Sequence, residues 1–481
     1  MIKIAKTENG LVRGIPAADP RIISFKGIPF AAPPVGENRW RAPQPASDWK
    51  GTRDCLEFAP IPMQSIPGLD QDNIYTREWN VDPEIPMSED CLYLNVWTPA
   101  ESTGDKLPVY VWYFGGALQW GNTAEMEFDG ERLARRGIIV VTVSYRLNVF
   151  GFLAHPELIK EAPNAPANFG NLDQQYGLFW TKRNIEAFGG DPDNITIGGQ
   201  SAGGGSVLAQ LNCPANKGYF QKAIIQSGIF LDPFQKLLLN MTYEEEIKQG
   251  QEFFSFLGIN SLEEGRALDA RFIRDKNDEF NVFWGTVVDG IYQTDTPWNH
   301  MKAGKLMDIP IMMGYTNNEF LTSPQNGDQL VENNKEIELK QISSIELGVR
   351  TMCKILDEQG SKGPNFVYEF GSSIPGGDNP GAFHSSDLWF FFETLAKCWR
   401  PFEGKHYNLA RLMCNYWAAF IKNGNPNGLD ADGTLMEYWE HYTDQMSNIM
   451  TFYDSPRMQE LPEGELMGLM KRAYIEGKIN F

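Results

Sequence analysis

The segment Asn194-Ile-Thr-Ile-Gly-Gly-Gln-Ser-Ala-Gly-Gly204 constrains this chain more than any other stretch. It passes from a short β-branched strand through Gly199-x-Ser201-x-Gly203 into Gly205-Ser-Val-Leu-Ala-Gln-Leu, which opens a helix. A serine between two glycines at a strand-to-helix corner is the sequence form of a nucleophile elbow. Side chains at the flanking positions would collide with neighbouring backbone, and only glycine avoids that cost. The turn lifts the Ser201 hydroxyl off the sheet, and the amides after it point to a helix N-terminus, where negative charge is favoured. Taken in isolation, the pattern also describes a glycine turn with an incidental serine.

The remaining chain reads as α/β. Buried-strand candidates are Leu92–Trp97, Val109–Tyr113, Ile138–Ser144, Ile195–Ile197 and Ile309–Met313, each short and bounded by Pro, Gly or charged residues. Helix-like stretches, Gln174–Phe188 and Thr242–Leu257 among them, alternate with these strands. Apolar strands alternating with amphipathic helices predict a mostly parallel central sheet covered on both faces. Ligands of such sheets bind outside the carboxyl ends of the strands, where Ser201 is expected. Met1–Thr7 reads as a first strand. The polar stretches Ser65–Pro83 and Thr322–Lys340 read as surface insertions placed to rim a substrate cleft. No internal repeat or linker divides the chain, so residues 1–481 are expected to form a single domain.

The net charge of −20 disfavours nucleic acid and anionic lipid as partners. No apolar run reaches the roughly eighteen residues of a membrane helix. The N-terminus lacks a signal core, which points to the cytoplasm unless a signal has already been removed. Cys55, Cys91, Cys213, Cys353, Cys398 and Cys414 are dispersed without zinc-type spacing. The five histidines form no metal-binding helix, and phosphate-cradling glycine loops are absent. No metal and no cofactor is therefore expected. The faintly calcium-like Asn427–Gly433 reads as a polar turn.

A nucleophilic serine needs a base, a group to orient that base, and donors for the oxyanion. Phe114-Gly115-Gly116-Ala117-Leu118 directly follows the strand ending at Tyr113. Gly116 and Ala117 are placed there to donate backbone N–H groups alongside Ala202, the residue after the nucleophile. The bland alternative is a tight strand-to-loop turn.

The chain resembles the type-B carboxylesterase and cholinesterase-like family of α/β-hydrolases from end to end. The resemblance is carried by Phe25–Gly36, Ser88–Trp97, Val143–Asn148, Asn168–Gln174, Phe188–Pro192, Ala223–Gly228 and Tyr416–Asn427, in family order. It implies a Ser-acid-His triad: Ser201, Glu319 in Gly314-Tyr-Thr-Asn-Asn-Glu319, and His384 in Gly381-Ala-Phe-His384. It also makes Ser227 a residue that helps hold acid and base. Gln200 stands where the family usually has Glu, which removes a negative charge beside the site and implies a lower rate. Phe114 replaces a common His or Tyr and is expected to make the inner wall more apolar. Secreted relatives bond the cysteine matched by Cys91 to an upstream partner. Pro62 occupies the partner position here and Cys55 lies seven residues away, so a Cys55–Cys91 bridge stays open. The 65-position step from Glu319 to His384 is shorter than in animal members, implying a more open cleft and a bacterial-like protein.

The chemistry implied by the resemblance is two-step acyl transfer on small, apolar or aryl esters. Trp120, Met126 and Phe128 after the oxyanion loop suit such groups. Trp389–Phe392 after His384 reads more naturally as core packing. The expected partner is a small-molecule ester, and the chain is expected to be a monomer or homodimer. An amidase or carbamate hydrolase would use the same residues. A silent binding module is the remaining alternative, disfavoured because all three triad residues are present.

Overall fold

The computed structural model describes residues 1–230, 241–322, 329–332, 335–338 and 340–478. Its centre is an eleven-stranded sheet. In chain order the strands are β1 (Ile15–Pro16), β2 (Ile23–Pro29), β3 (Tyr93–Thr98), β4 (Leu107–Tyr113), β5 (Ile139–Val143) and β6 (Gly190–Gln200). They continue with β7 (Lys222–Gln226), β8 (Ile311–Thr316), β9 (Asn365–Phe370), β10 (Asn448–Phe452) and β11 (Pro456–Glu460). The spatial order is β11-β10-β9-β8-β7-β6-β4-β5-β3-β2-β1. From β10 to β5 every neighbour is parallel, and antiparallel strands flank both ends. Parallel strands need both faces covered, and β5, β7 and β8 are buried along their whole length.

Helices α1 (Phe169–Asn184), α2 (Ala202–Asn212) and α3 (Ser344–Glu358) pack one face, and α4 (Gly404–Asn423) packs the other. The expected strand at Ile195–Ile197 is the middle of a longer one that runs into the elbow. The expected Thr242 helix starts as read, with Thr242 as N-cap in a reciprocal capping box with Glu245, and Gly258 in a left-handed C-cap. Ile4–Thr7 is a strand, but it belongs to a separate three-stranded sheet with Gly10–Arg13 and Thr52–Asp54.

Two of the family-like segments meet inside the molecule. Arg146 and Asp173 form a buried ion pair at 2.7 Å, joining the loop after β5 to α1. Cys55 and Cys91 are both buried free thiols rather than a bridge. The Ser65–Pro83 insertion carries a short helix, Ile74–Glu78, capped by Asn73. It is less superficial than its polarity suggested, because Glu78 is fully buried against Arg400. Much of Thr322–Lys340 lies outside the described residues. Its described part is a hairpin, Gln329–Glu332 with Lys335–Glu338. No helix among the described residues is long and apolar enough to cross a membrane.

Candidate active site

Ser201 sits between β6 and α2 with φ 55° and ψ −127°, a strained conformation for a residue with a side chain. Two close approaches explain the glycines around it. A β-carbon at Gly199 would lie 2.3 Å from the Gly203 carbonyl oxygen, and one at Gly203 would lie 2.1 Å from that of Tyr113. The Ser201 N–H donates to the Gln226 carbonyl at 2.9 Å. Helix α2 begins immediately at Ala202, three residues earlier than read from the sequence. Glycine-rich segments look like loop, but here the small residues let a helix press on strand ends.

Glu319 and His384 arrive on the neighbouring strand ends. Glu319 follows β8 and His384 follows β9, so these two residues and Ser201 all stand at carboxyl ends of parallel strands. The Ser201 Oγ lies 2.8 Å from His384 Nε2, and His384 Nδ1 lies 2.5 Å from Glu319 Oε2. Glu319 is buried, and its other oxygen accepts the Thr316 N–H at 2.9 Å. The two loops are stitched together. Asn318 N–H donates to the Ala382 carbonyl and its side chain donates to that of Pro380. Phe320 packs on the imidazole at a ring distance of 4.5 Å.

The loop after β4 carries the expected oxyanion donors. Gly116 has φ 102°, and Ala117 and Leu118 have φ 55° and 63°. Among the described residues the amides of Gly116, Ala117 and Ala202 donate no hydrogen bond to the protein. Braces absent from the sequence reading hold this loop. Gln119 Nε2 donates to the carbonyls of Ala117 at 3.0 Å and Trp284 at 2.6 Å. Asn148 N–H donates to the Leu118 carbonyl at 2.7 Å, and Gln64 exchanges two hydrogen bonds with the Gly121 backbone.

Gln200 is buried, with its side-chain nitrogen 3.3 Å from His384 Nε2. Ser227 departs from the expectation. It is fully buried with φ 45°, its N–H donates to the Gly314 carbonyl, and its hydroxyl bonds neither Glu319 nor His384. The buried polar group under the histidine is instead Asp387, which accepts from Tyr368 Oη at 2.8 Å and Gln226 Nε2 at 3.1 Å. Burial pushes its carboxyl up to about 6, against those two hydrogen bonds. A lone Asp three residues beyond His384 gave no sequence signal of burial.

A cavity of about 300 Å³ opens beside Ser201 and His384. The Ser65–Pro83 insertion does rim it, through Tyr75 and Trp79, and Trp120 and Phe128 line it as well. Met126 does not reach the cavity and is 38% exposed. Phe114 also fails to line it; the ring is buried beneath the loop, stacked on Tyr145 at 4.2 Å. Trp389–Phe392 is core, as the packing interpretation held. Two carboxylic acids, Glu125 and Glu127, line the cavity and carry no signal in the sequence. Among the described residues no group of three or more His, Cys, Asp or Glu side chains could hold a metal ion. Asp430 of the calcium-like turn is bound to Arg411 and Asn415.

The profile of the carboxylesterase family matches residues 2–347 and 321–467. The chain is 32% identical to para-nitrobenzyl esterase of Bacillus subtilis (strain 168), over 96% of this chain and 97% of that protein. It is 30% identical to cocaine esterase of Homo sapiens, over 88% and 84% of the two chains. A solved structure of a PNB esterase superposes with a TM-score of 0.79, at 28% identity and 99% coverage of both chains.

Proposed function

The chain belongs to the carboxylesterase family, and on that premise we propose that it hydrolyses small carboxylic esters through Ser201, His384 and Glu319. The observation that carries this reading is the unbroken line from Ser201 Oγ through the imidazole to Glu319, at 2.8 and 2.5 Å, opening on a cavity with aromatic walls.

With its proton on Nδ1, held by Glu319, His384 presents its Nε2 lone pair to the serine hydroxyl. As Ser201 Oγ attacks the ester carbonyl, Nε2 takes its proton and Glu319 stabilises the resulting imidazolium. The tetrahedral oxyanion is received by the amides of Gly116, Ala117 and Ala202, which have no competing partner among the described residues. His384 then gives the proton to the departing alcohol, leaving Ser201 acylated. Water, deprotonated by the same nitrogen, adds to the acyl carbonyl, and collapse returns the acid and the free serine. Residues 1–481 work as one catalytic unit in this reading, in keeping with a continuous apolar core. Faces such as Trp79 and Phe128 favour an apolar or aryl arm, in line with the substrate named for the Bacillus relative.

Release of p-nitrophenol from its acetate ester by the wild type and by Ser201→Ala tests the proposal. Turnover should fall by about 10⁴-fold or more in the variant. Equal rates in the two proteins would overturn it.

A further inference from the structure

A second cavity, of about 520 Å³, opens along α4 and shares no lining residue with the one beside Ser201. Five of its fifteen lining residues are arginine or lysine and two are acidic, in a chain where 62 acids outnumber 42 bases. The local charge is therefore opposite in sign to that of the molecule as a whole. Arg411, Asn415, Ala418 and Lys422 line the cavity from α4, and their steps of four, three and four residues set them on one helix face. The small side chains of Ala418 and Ala419 leave room along that face, between Arg411 on one side and Lys422 on the other.

Most of the guanidinium groups here already have a carboxylate. Arg135 pairs with Asp19 and Glu131 at 2.9 and 2.8 Å, Arg136 with Glu393 at 2.8 Å, and Arg411 with Asp430. Arg136 also ties the neighbouring elements together, donating to the Arg132 carbonyl at 2.9 Å and to the Arg411 carbonyl at 3.2 Å. Arg132 and Lys422 are different. Neither side chain makes an ion pair or a hydrogen bond among the described residues. Arg132 belongs to the short helix Glu131–Ala134 and Lys422 to the last turn of α4, so the two unmatched charges reach the cavity from different elements. Partial burial and the charge of Arg136 pull the Lys422 amine below its ordinary value, and a negative charge seated beside it would relieve that repulsion.

A ligand with one negative charge would match one of these cations and leave the other, whereas a ligand with two or more acidic groups serves both. Guanidinium forks and a lysine ammonium suit the oxygens of phosphates and carboxylates. The volume is that of a small-molecule site. We propose that this cavity binds a small polyanion, a phosphorylated or polycarboxylate molecule held by Arg132 and Lys422. The proposal is independent of the ester chemistry proposed for Ser201.

Calorimetric titration of sodium pyrophosphate and of sodium citrate into the intact chain at neutral pH and low salt tests it, with sodium chloride of equal ionic strength as control. At least one of the two anions should bind one to one with a Kd of about 1 mM or tighter. Binding of pyrophosphate alone marks a phosphorylated ligand, binding of citrate alone a polycarboxylate, and binding of both a site that reads charge. Arg132→Gln combined with Lys422→Gln should weaken the interaction by about tenfold or more. Should the double variant not fold, Lys422→Gln alone decides, with an expected loss of about threefold. Heats of dilution only with both anions, or an affinity that the variants share with the wild type, would overturn the site.

Discussion

Gln226 holds the strained Ser201 from below: its carbonyl accepts the Ser201 N–H at 2.9 Å, while its side-chain amide donates to Asp387 at 3.1 Å. One residue on β7 therefore touches both the elbow and the polar group beneath the histidine loop.

Asp387 makes stability depend on pH. Its folded carboxyl titrates near 6, above the ordinary 3.8, so the native state binds more protons between those values. Stability must then fall as pH rises through this window, and the loss is complete above about 6. Asp387→Asn removes the ionisation and keeps an acceptor for Tyr368 and Gln226. Urea unfolding at several pH values should show the wild type losing on the order of 2–3 kcal/mol relative to the variant between pH 4 and pH 7. Parallel curves would refute this.

Gln200→Glu places a carboxylate where an amide now lies 3.3 Å from His384 Nε2. The added charge favours the imidazolium formed during attack. We expect kcat on p-nitrophenyl acetate to rise by roughly three- to tenfold, about 1 kcal/mol. An unchanged or lower kcat argues that the buried amide contributes by shape alone.

Gly203→Ala puts a β-carbon 2.1 Å from the Tyr113 carbonyl, where neither the helix nor the strand end can yield easily. The elbow must shift. Thermal unfolding should report a loss of about 1–3 kcal/mol, and kcat should drop by about a hundredfold. Wild-type values in both measurements would show that the contact is relieved cheaply.

Gln119→Ala removes the brace between Ala117 and Trp284 while leaving every proposed donor in place. The oxyanion loop then samples other conformations, and kcat should decrease by roughly tenfold with KM nearly constant. That is less than the hundredfold or more that accompanies loss of a whole donor. A rise in KM alone would instead assign Gln119 to substrate binding.

The elbow and the oxyanion loop are legible in the sequence because each rests on residues close together in the chain, whereas Glu319 and His384 are reached only through the family resemblance. Gly199, Ser201 and Gly203 carry their own backbone requirement, and a strand on one side and a helix on the other suffice to interpret it. Phe114 misleads because one position past a strand does not reveal which way a ring turns; it turns inward, onto Tyr145. The start of α2 is hidden because glycine lowers helix propensity, and only contacts with Tyr113 and Gly228 show why glycine is tolerated there. Glu125, Glu127 and Asp387 are invisible for a shared reason. An acidic residue is nearly always solvated, and its burial is decided by partners distant in the chain, as Asp387 is by Tyr368 and Gln226.

The ion pair of Arg400 with Glu78 and Asp378 has a consequence for redesign. Glu78 ends the short helix whose Tyr75 lines the cavity, and Asp378 lies six residues ahead of His384. A single guanidinium thus fastens one wall of the cavity to the segment that carries His384. Libraries that reshape Ser65–Pro83 to admit bulkier esters should therefore change turnover along with selectivity. Scope and speed in this scaffold are inherited together unless Arg400 and both its partners are left untouched.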